Sequence, residues 1–210
     1  MRTDSSGSLR SKVHRAAVIT VLLLGVAGAA GCSSSSHKSG SQPTTTDATN
    51  KPTSGTNNAA AVQTLLQEGI HQAETNMLDQ ATTTFNNVLA LSPNNVYALY
   101  NLGVIAQERN DDADALAYYD KALTSDSTYT PAMYNKAIIL ESTDPTQALA
   151  LYKQIVSINP NASTAYLRMA FIYAKQGQTT LAAAARAKAI SLNPSLAQYQ
   201  LPAACSGPSC

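Results

Sequence analysis

The chain of 210 residues has no tryptophan and only two phenylalanines. That shortage counts against an all-β sandwich, whose strands call for aromatic and β-branched residues. Charge is scarce as well: 13% of residues are charged, about half the share usual in soluble domains. The net charge of +1 supplies no field that would gather nucleic acid, so no nucleic-acid partner is expected. Of the three histidines only His37 and His71 lie beyond the first 15 residues. No nucleophile elbow, glycine-rich phosphate loop or metal-spaced His/Cys set accompanies them. The sequence therefore offers no catalytic residue, no metal site and no cofactor site, and an enzyme is not expected. What is abundant is alanine, 35 residues, and tyrosine, ten, a balance that favours helices packed through small side chains.

The longest apolar run is Ala16 to Ala30, short of the roughly 20 residues that a transmembrane helix needs. Arg2, Arg10, Lys12 and Arg15 precede it against a single Asp4. A basic segment followed by a short apolar one is the pattern of a secretory signal, here residues 1–31, removed on export. Ala29-Ala30-Gly31-Cys32, followed by four serines, resembles the lipobox of bacterial lipoproteins. The resemblance implies that Cys32 is acylated and anchors the chain on the extracytoplasmic face of a cell membrane. Ala29 stands where that motif usually has leucine, and Ala27-Gly28-Ala29 also satisfies the small-x-small rule of ordinary signal cleavage, so release as a secreted protein is the alternative. Residues 33–58 contain one apolar side chain, Ala48, too little to offset the entropy of ordering, so residues 32–60 read as a flexible tether. A coil of this length spans roughly 30 Å.

From about residue 62 the sequence repeats itself. Ala81, Phe85, Val88 and Pro93 are followed in phase by Ala115, Tyr119, Ala122 and Ser127. Ala148, Tyr152, Ile155 and Pro160 continue the series, and Ala182, Arg186, Ala189 and Pro194 end it. The alanines are 34, 33 and 34 residues apart. The first halves also agree: Leu65 with Gly69, Leu99 with Gly103, Met133 with Ala137, and Tyr166 with Ala170. Leu99, Leu102, Gly103 and Ala106 fall on one face of a helix, and Ala115, Tyr119 and Ala122 form the facing stripe. Asp111 or Asp112, Asp144 before Pro145, and Thr179 after Gly177 supply helix starts. The 33-residue interval is expected to reflect a shorter turn in the third unit.

These positions resemble the tetratricopeptide repeat, with its small residues, its aromatic and its closing proline. Ser127 and Arg186 depart from the pattern, and none of the four units has its tryptophan. The fold expected is all-α, an α-α superhelix (solenoid) of about four tetratricopeptide helical hairpins. The units run 62–95, 96–128, 129–161 and 162–195, within a repeat region 61–194 and before a tail 196–210. The resemblance implies a concave groove lined by the first helix of each pair, one that takes a protein or peptide. Its ligand-facing positions carry over to Tyr97, Tyr100, Asn101, Val104, Tyr134, Asn135, Ile138, Arg168, Phe171 and Lys175. Tyrosines give broad apolar contact with a polar tip, and the two asparagines can pair with an extended backbone. Packing of some of these rings inside the solenoid is the competing reading.

Charge is unevenly spread along the repeats. Residues 62–126 hold nine acidic and two basic side chains, whereas residues 163–194 hold Arg168, Lys175, Arg186 and Lys188 with no acid. Such a gradient would orient a partner or favour head-to-tail self-association; solvated faces are the plainer account. Asp111, Asp112 and Asp114 lack the glycine and glutamate of a calcium loop and read as helix capping. Cys205 and Cys210 bracket Ser-Gly-Pro-Ser, and once Cys32 is acylated they are expected to form a local disulfide. The function expected is a non-catalytic, membrane-anchored scaffold of the bacterial cell envelope. An accessory or substrate-handling subunit of a cell-wall enzyme, secretion or pilus machine is the alternative.

Overall fold

The computed structural model describes residues 54–202. The chain divides into two units, Met1–Asn58 and Ala59–Cys210, and the account below concerns the second together with the opening turn of its first helix. The signal, Cys32, most of the tether, Cys205 and Cys210 lie outside the described residues. Eight α-helices and no strand occur among the described residues: α1 (Ser54–Glu74), α2 (Leu78–Leu91), α3 (Val96–Glu108), α4 (Asp112–Ser125), α5 (Thr130–Leu140), α6 (Pro145–Ile158), α7 (Ser163–Lys175) and α8 (Thr179–Leu192). A 3₁₀ turn, Pro194–Gln198, follows. The helices pair as four hairpins, and the second helix of each of the first three also packs on the first helix of the next. This is the all-α superhelix that the period implies. Among the described residues no helix is long and apolar enough to cross a membrane.

Each of the first three hairpins closes around one contact. Phe85, Tyr119 and Tyr152 are fully buried, as are Ala81, Ala115 and Ala148 at the helix crossings. A Cβ on Gly103 would sit 2.5 Å from the Tyr119 ring, and one on Gly69 would sit 2.7 Å from the Phe85 ring. The glycines are therefore required by the approach of the ring, because interiors packed as densely as crystals have no slack to absorb a methyl group.

The turns inside the hairpins recur in phase with the alanines, each five residues before one of them. Asn76, Asn110 and Gly177 have φ of 63°, 62° and 72°, the left-handed conformation that Gly and Asn adopt most readily. Each closes its first helix with a 6→1 bond, such as Asp111 N–H to the Ala106 carbonyl at 2.9 Å, so that carbonyls at the helix end are satisfied. Asp111 and Asp144 then cap α4 and α6 by accepting from the N–H groups of Asp114 and Gln147. Thr179 is instead the first residue of α8, whose cap, Gln178, makes no side-chain bond.

Two boundaries differ from the sequence reading. Helix α1 begins at Ser54, ahead of the expected end of the tether at residue 60, because Ala59, Ala60 and Ala61 are strong helix formers that extend the helix backwards. In the third unit the helix is two residues shorter and the connection one longer: α5 has 11 residues where α3 and α7 have 13, and 141–144 stands where the second and fourth units have 109–111 and 176–178. Its connection, 141–144, has lost the left-handed residue and closes through Asp144 N–H to the Leu140 carbonyl at 2.7 Å.

The Gly103 contact gives a measurable consequence. Alanine in a helix interior is ordinarily favoured over glycine by about 0.5–1 kcal/mol, whereas overpacking costs about 1–3 kcal/mol. Gly103→Ala is expected to lower the unfolding free energy by about 1–2 kcal/mol in urea melts. Equal or greater stability would mean that the ring is not held against the glycine.

Candidate binding groove

The first helices α1, α3, α5 and α7 carry the expected groove positions, and α3 and α5 also touch one another. The structure sorts those positions into a locked floor and an open surface. Tyr100, Asn135 and Ile138 are 6, 5 and 7% exposed, so they form the floor and present little area to a ligand. For Tyr100 the physical reason is Tyr129, which stands in the link before α5. Its ring meets Tyr100 edge-on at 5.4 Å and Tyr97 at 5.8 Å, and it covers Tyr100 while leaving Tyr97 49% exposed. Periodicity gave no signal for Tyr129, because the residue lies between helices and outside the positions usually assigned to the groove.

The floor is held by two polar networks, each crossing a joint between repeats. In the first, the Asn135 amide donates to the Tyr100 hydroxyl at 3.3 Å and also bonds Tyr119, whose own hydroxyl donates to Gln107 at 2.8 Å. In the second, the Tyr152 hydroxyl donates to one oxygen of Glu141 at 2.8 Å, and Arg168 donates to the other at 3.3 Å. The Arg168 and Glu141 side chains are only 14% and 19% exposed. Burial opposes the Arg168 charge, and Tyr134, Glu141 and Tyr152 around it outweigh that effect, so its pKa lies above the ordinary arginine value. Among the described residues no buried side-chain nitrogen or oxygen lacks a partner.

The open surface consists of Tyr97 and Lys175, both exposed, with Asn101, Val104, Tyr134 and Phe171 half-buried. Asn101 turns its amide nitrogen back to the Tyr97 carbonyl of its own helix, at 2.8 Å, so only its oxygen side is offered. Tyr134 packs edge-on against Tyr152 at 5.7 Å and bonds Arg168. With Arg168 committed to Glu141, Lys175 is the cation that the expected groove positions leave exposed. This surface can take apolar and amide groups, and it is poorly equipped to hold a carboxylate through paired basic residues. Among the described residues no three His, Cys, Asp or Glu side chains are grouped to hold a metal ion.

Burial sets the titration of the floor. It pushes Tyr100 up to about 12. Burial also raises Tyr119, Tyr129 and Tyr152, helped by nearby Tyr100 in the first two and by Glu141 in the third. A group held protonated in the folded chain stabilises it fully below the unfolded value, near pH 10, and loses that contribution as pH rises further. Stability is therefore expected to stay level to about pH 10 and to fall as pH approaches 12. Urea melts between pH 8 and 12 check this, and an unchanged midpoint above pH 11 would contradict it.

Comparison with known proteins bears on the fold and the family. Profiles described as tetratricopeptide repeat match residues 66–130 and 139–201. The photosystem I assembly protein Ycf3 of Cyanophora paradoxa is 34% identical over 119 residues, which cover 51% of this chain and 68% of Ycf3. A probable SPINDLY UDP-N-acetylglucosamine–peptide N-acetylglucosaminyltransferase of Hordeum vulgare is 35% identical over 92 residues. Those residues span 43% of this chain and only 10% of the barley protein. A crystal structure of MamA superposes with a TM-score of 0.59 at 22% identity, covering 66% of this chain and 81% of that one, a likeness of fold.

Proposed function

Because the chain belongs to the tetratricopeptide repeat family, we propose that it is a non-catalytic scaffold that binds a polypeptide segment across α3, α5 and α7. The observation that carries this reading is the division of the groove into a floor closed by its own hydrogen bonds and an open strip of aromatic and amide groups. A surface prepared in this way meets a ligand without first rearranging, which lowers the cost of binding. The neutralisation of Arg168 by Glu141 favours an uncharged segment over a C-terminal carboxylate. Ycf3, by its name, serves the assembly of a complex, and a role in assembling a protein complex fits this chain. Tyr97 and Phe171 are the anchors of that contact, with Asn101, Tyr134 and Lys175 beside them.

The export signal and the Ala29-Ala30-Gly31-Cys32 motif support a bacterial lipoprotein held by Cys32 on the extracytoplasmic face of a membrane. On this reading the Ser/Thr-rich tether keeps the repeats clear of the lipid and the partner belongs to the cell envelope. Two measurements test the two halves separately. Photo-crosslinking from the position of Tyr97 identifies the partner in the native envelope, and its affinity is then measured against purified protein. Tyr97→Ala with Phe171→Ala is expected to weaken that affinity by about 2 kcal/mol or more, with the helical circular dichroism retained and the melt lowered only by the lost packing of Phe171 against the Leu167 cluster. Binding untouched by the pair would remove the groove from the reading. Cys32→Ala is expected to abolish fatty-acid labelling and to release the chain from membranes; labelling that persists would refute the anchor.

A further inference from the structure

The two ends of the repeat array are not alike, and the difference follows the ladder of positions through which repeats stack. At each internal joint the second helix of one unit offers the same four positions to the first helix of the next. In α4 these are Leu116, Tyr119, Asp120 and Leu123, and in α6 they are Leu149, Tyr152, Lys153 and Val156. The receiving helices answer with Ala132, Lys136 and Ile139 in α5, and with Ala165, Met169 and Ile172 in α7. Most of these residues share the hydrophobic clusters of the joints, and Lys136 forms an ion pair with Asp120.

In α8 the same ladder reads Ala183, Arg186, Ala187 and Ile190. The aromatic ring is gone, and Arg186 turns away to donate to the carbonyls of Ala197 (2.9 Å) and Tyr199 (3.3 Å). What remains is an open cleft of about 700 Å³ lined by these four residues with Ser191, Gln200 and Leu201. At the opposite end, the receiving positions of α1 read Thr64, Glu68 and His71, all exposed.

We propose that the α8 cleft receives helix α1 of a second copy of this chain, so that the repeats continue head to tail from one molecule into the next. Three observations carry this. The cleft occupies the ladder through which internal repeats stack, so the joint continues an interface that the fold already makes three times. The charges are of opposite sign: Arg186 lines the cleft within a segment, 163–194, that carries no acid, whereas α1 presents the exposed Glu68 with Glu74 on the same helix. In the ladder Ala187 takes the place of Asp120 and Glu68 that of Lys136, the pair that forms a salt bridge at the joint of α4 and α5. A contact between two different faces passes from copy to copy, so it builds open chains, or rings where the rotation closes, rather than a two-fold dimer.

Sedimentation velocity of the full chain in density-matched detergent, from low to high salt, tests the proposal. The weight-average mass is expected to rise with concentration past that of a dimer at low salt, and to fall as screening shortens the Debye length. Ala187→Asp sets an acid against Glu68, and Glu68→Lys sets a cation against Arg186. Each alone is expected to weaken association about tenfold or more, with circular dichroism and melting unchanged because both positions are exposed. An equimolar mixture of the two variants is expected to recover association, since one joint between them then carries an Asp–Lys pair and the other is native. A chain that stays monomeric at low salt overturns the proposal. So does assembly that ignores both substitutions, stops at two copies, or is not recovered on mixing.

Discussion

The distance between the two helices of a hairpin governs the rest of this molecule. At Gly103 and Gly69 the helices approach until the ring of Tyr119 or Phe85 lies where a Cβ would be, 2.5 and 2.7 Å from it. A ring driven that deep has only one direction in which to carry a polar group, along the crossing toward the far end of the first helix. There the Tyr119 hydroxyl meets Gln107 and the Tyr152 hydroxyl meets Glu141. The small residue therefore fixes the ring, the ring fixes the end of the first helix, and the helix end decides what the groove floor contains.

Those hydroxyls are costly to bury unless they are bonded, about 1–3 kcal/mol for each group left unsatisfied. The chain meets this with side chains from neighbouring repeats rather than from the same hairpin alone. Asn135 reaches from the third unit to Tyr100 and Tyr119 of the second, and Arg168 reaches from the fourth to Glu141 of the third. Each network is shared across a joint, so a partial break leaves a buried group without a partner on both sides of it. This ties the repeats together by polar bonds as well as by apolar contact. It also removes Arg168 from the set of groups free to meet a ligand, and the groove is the more neutral for it.

The architecture was legible in the spacing of small and aromatic residues, because the crossing contact needs both types at fixed intervals whatever else the chain contains. The tyrosines of the groove were harder to sort. Tyr97 and Tyr100 lie three residues apart on one face of α3, and nothing in their own helix says that one is open and the other closed. The decision is made by Tyr129 in the following link, a residue that periodicity does not mark. Asn76 and Asn110 escaped notice for a different reason: an asparagine reads as an ordinary polar residue until the turn requires a positive φ. The one-residue deletion was visible as an interval of 33, but spacing alone does not say whether helix or turn absorbs it. The lost left-handed residue shows that the helix end was rebuilt.

The last unit shows what the crossing contact does when its ring is absent. Arg186 takes the place of Tyr119 and Tyr152, and the first helix there already contributes Tyr173, which is buried. A guanidinium cannot fill an apolar crossing without losing its water, so it leaves toward carbonyls that accept its protons, and the 3₁₀ turn folds back to supply them. Leu196 then enters the apolar cluster with Leu167 and Ala189, which seals part of the end. The rest of the ladder, with Ala183 and Ala187 where longer side chains stand in α4 and α6, stays open. A solenoid end is normally kept soluble by a polar outer face; α1 has one in Thr64, Glu68 and His71, whose acid is the group that the cation at the α8 end meets in the proposed joint. The end formed by α8 is finished on one side only, so the substitution of a single ring position separates an array that terminates from one that can be continued.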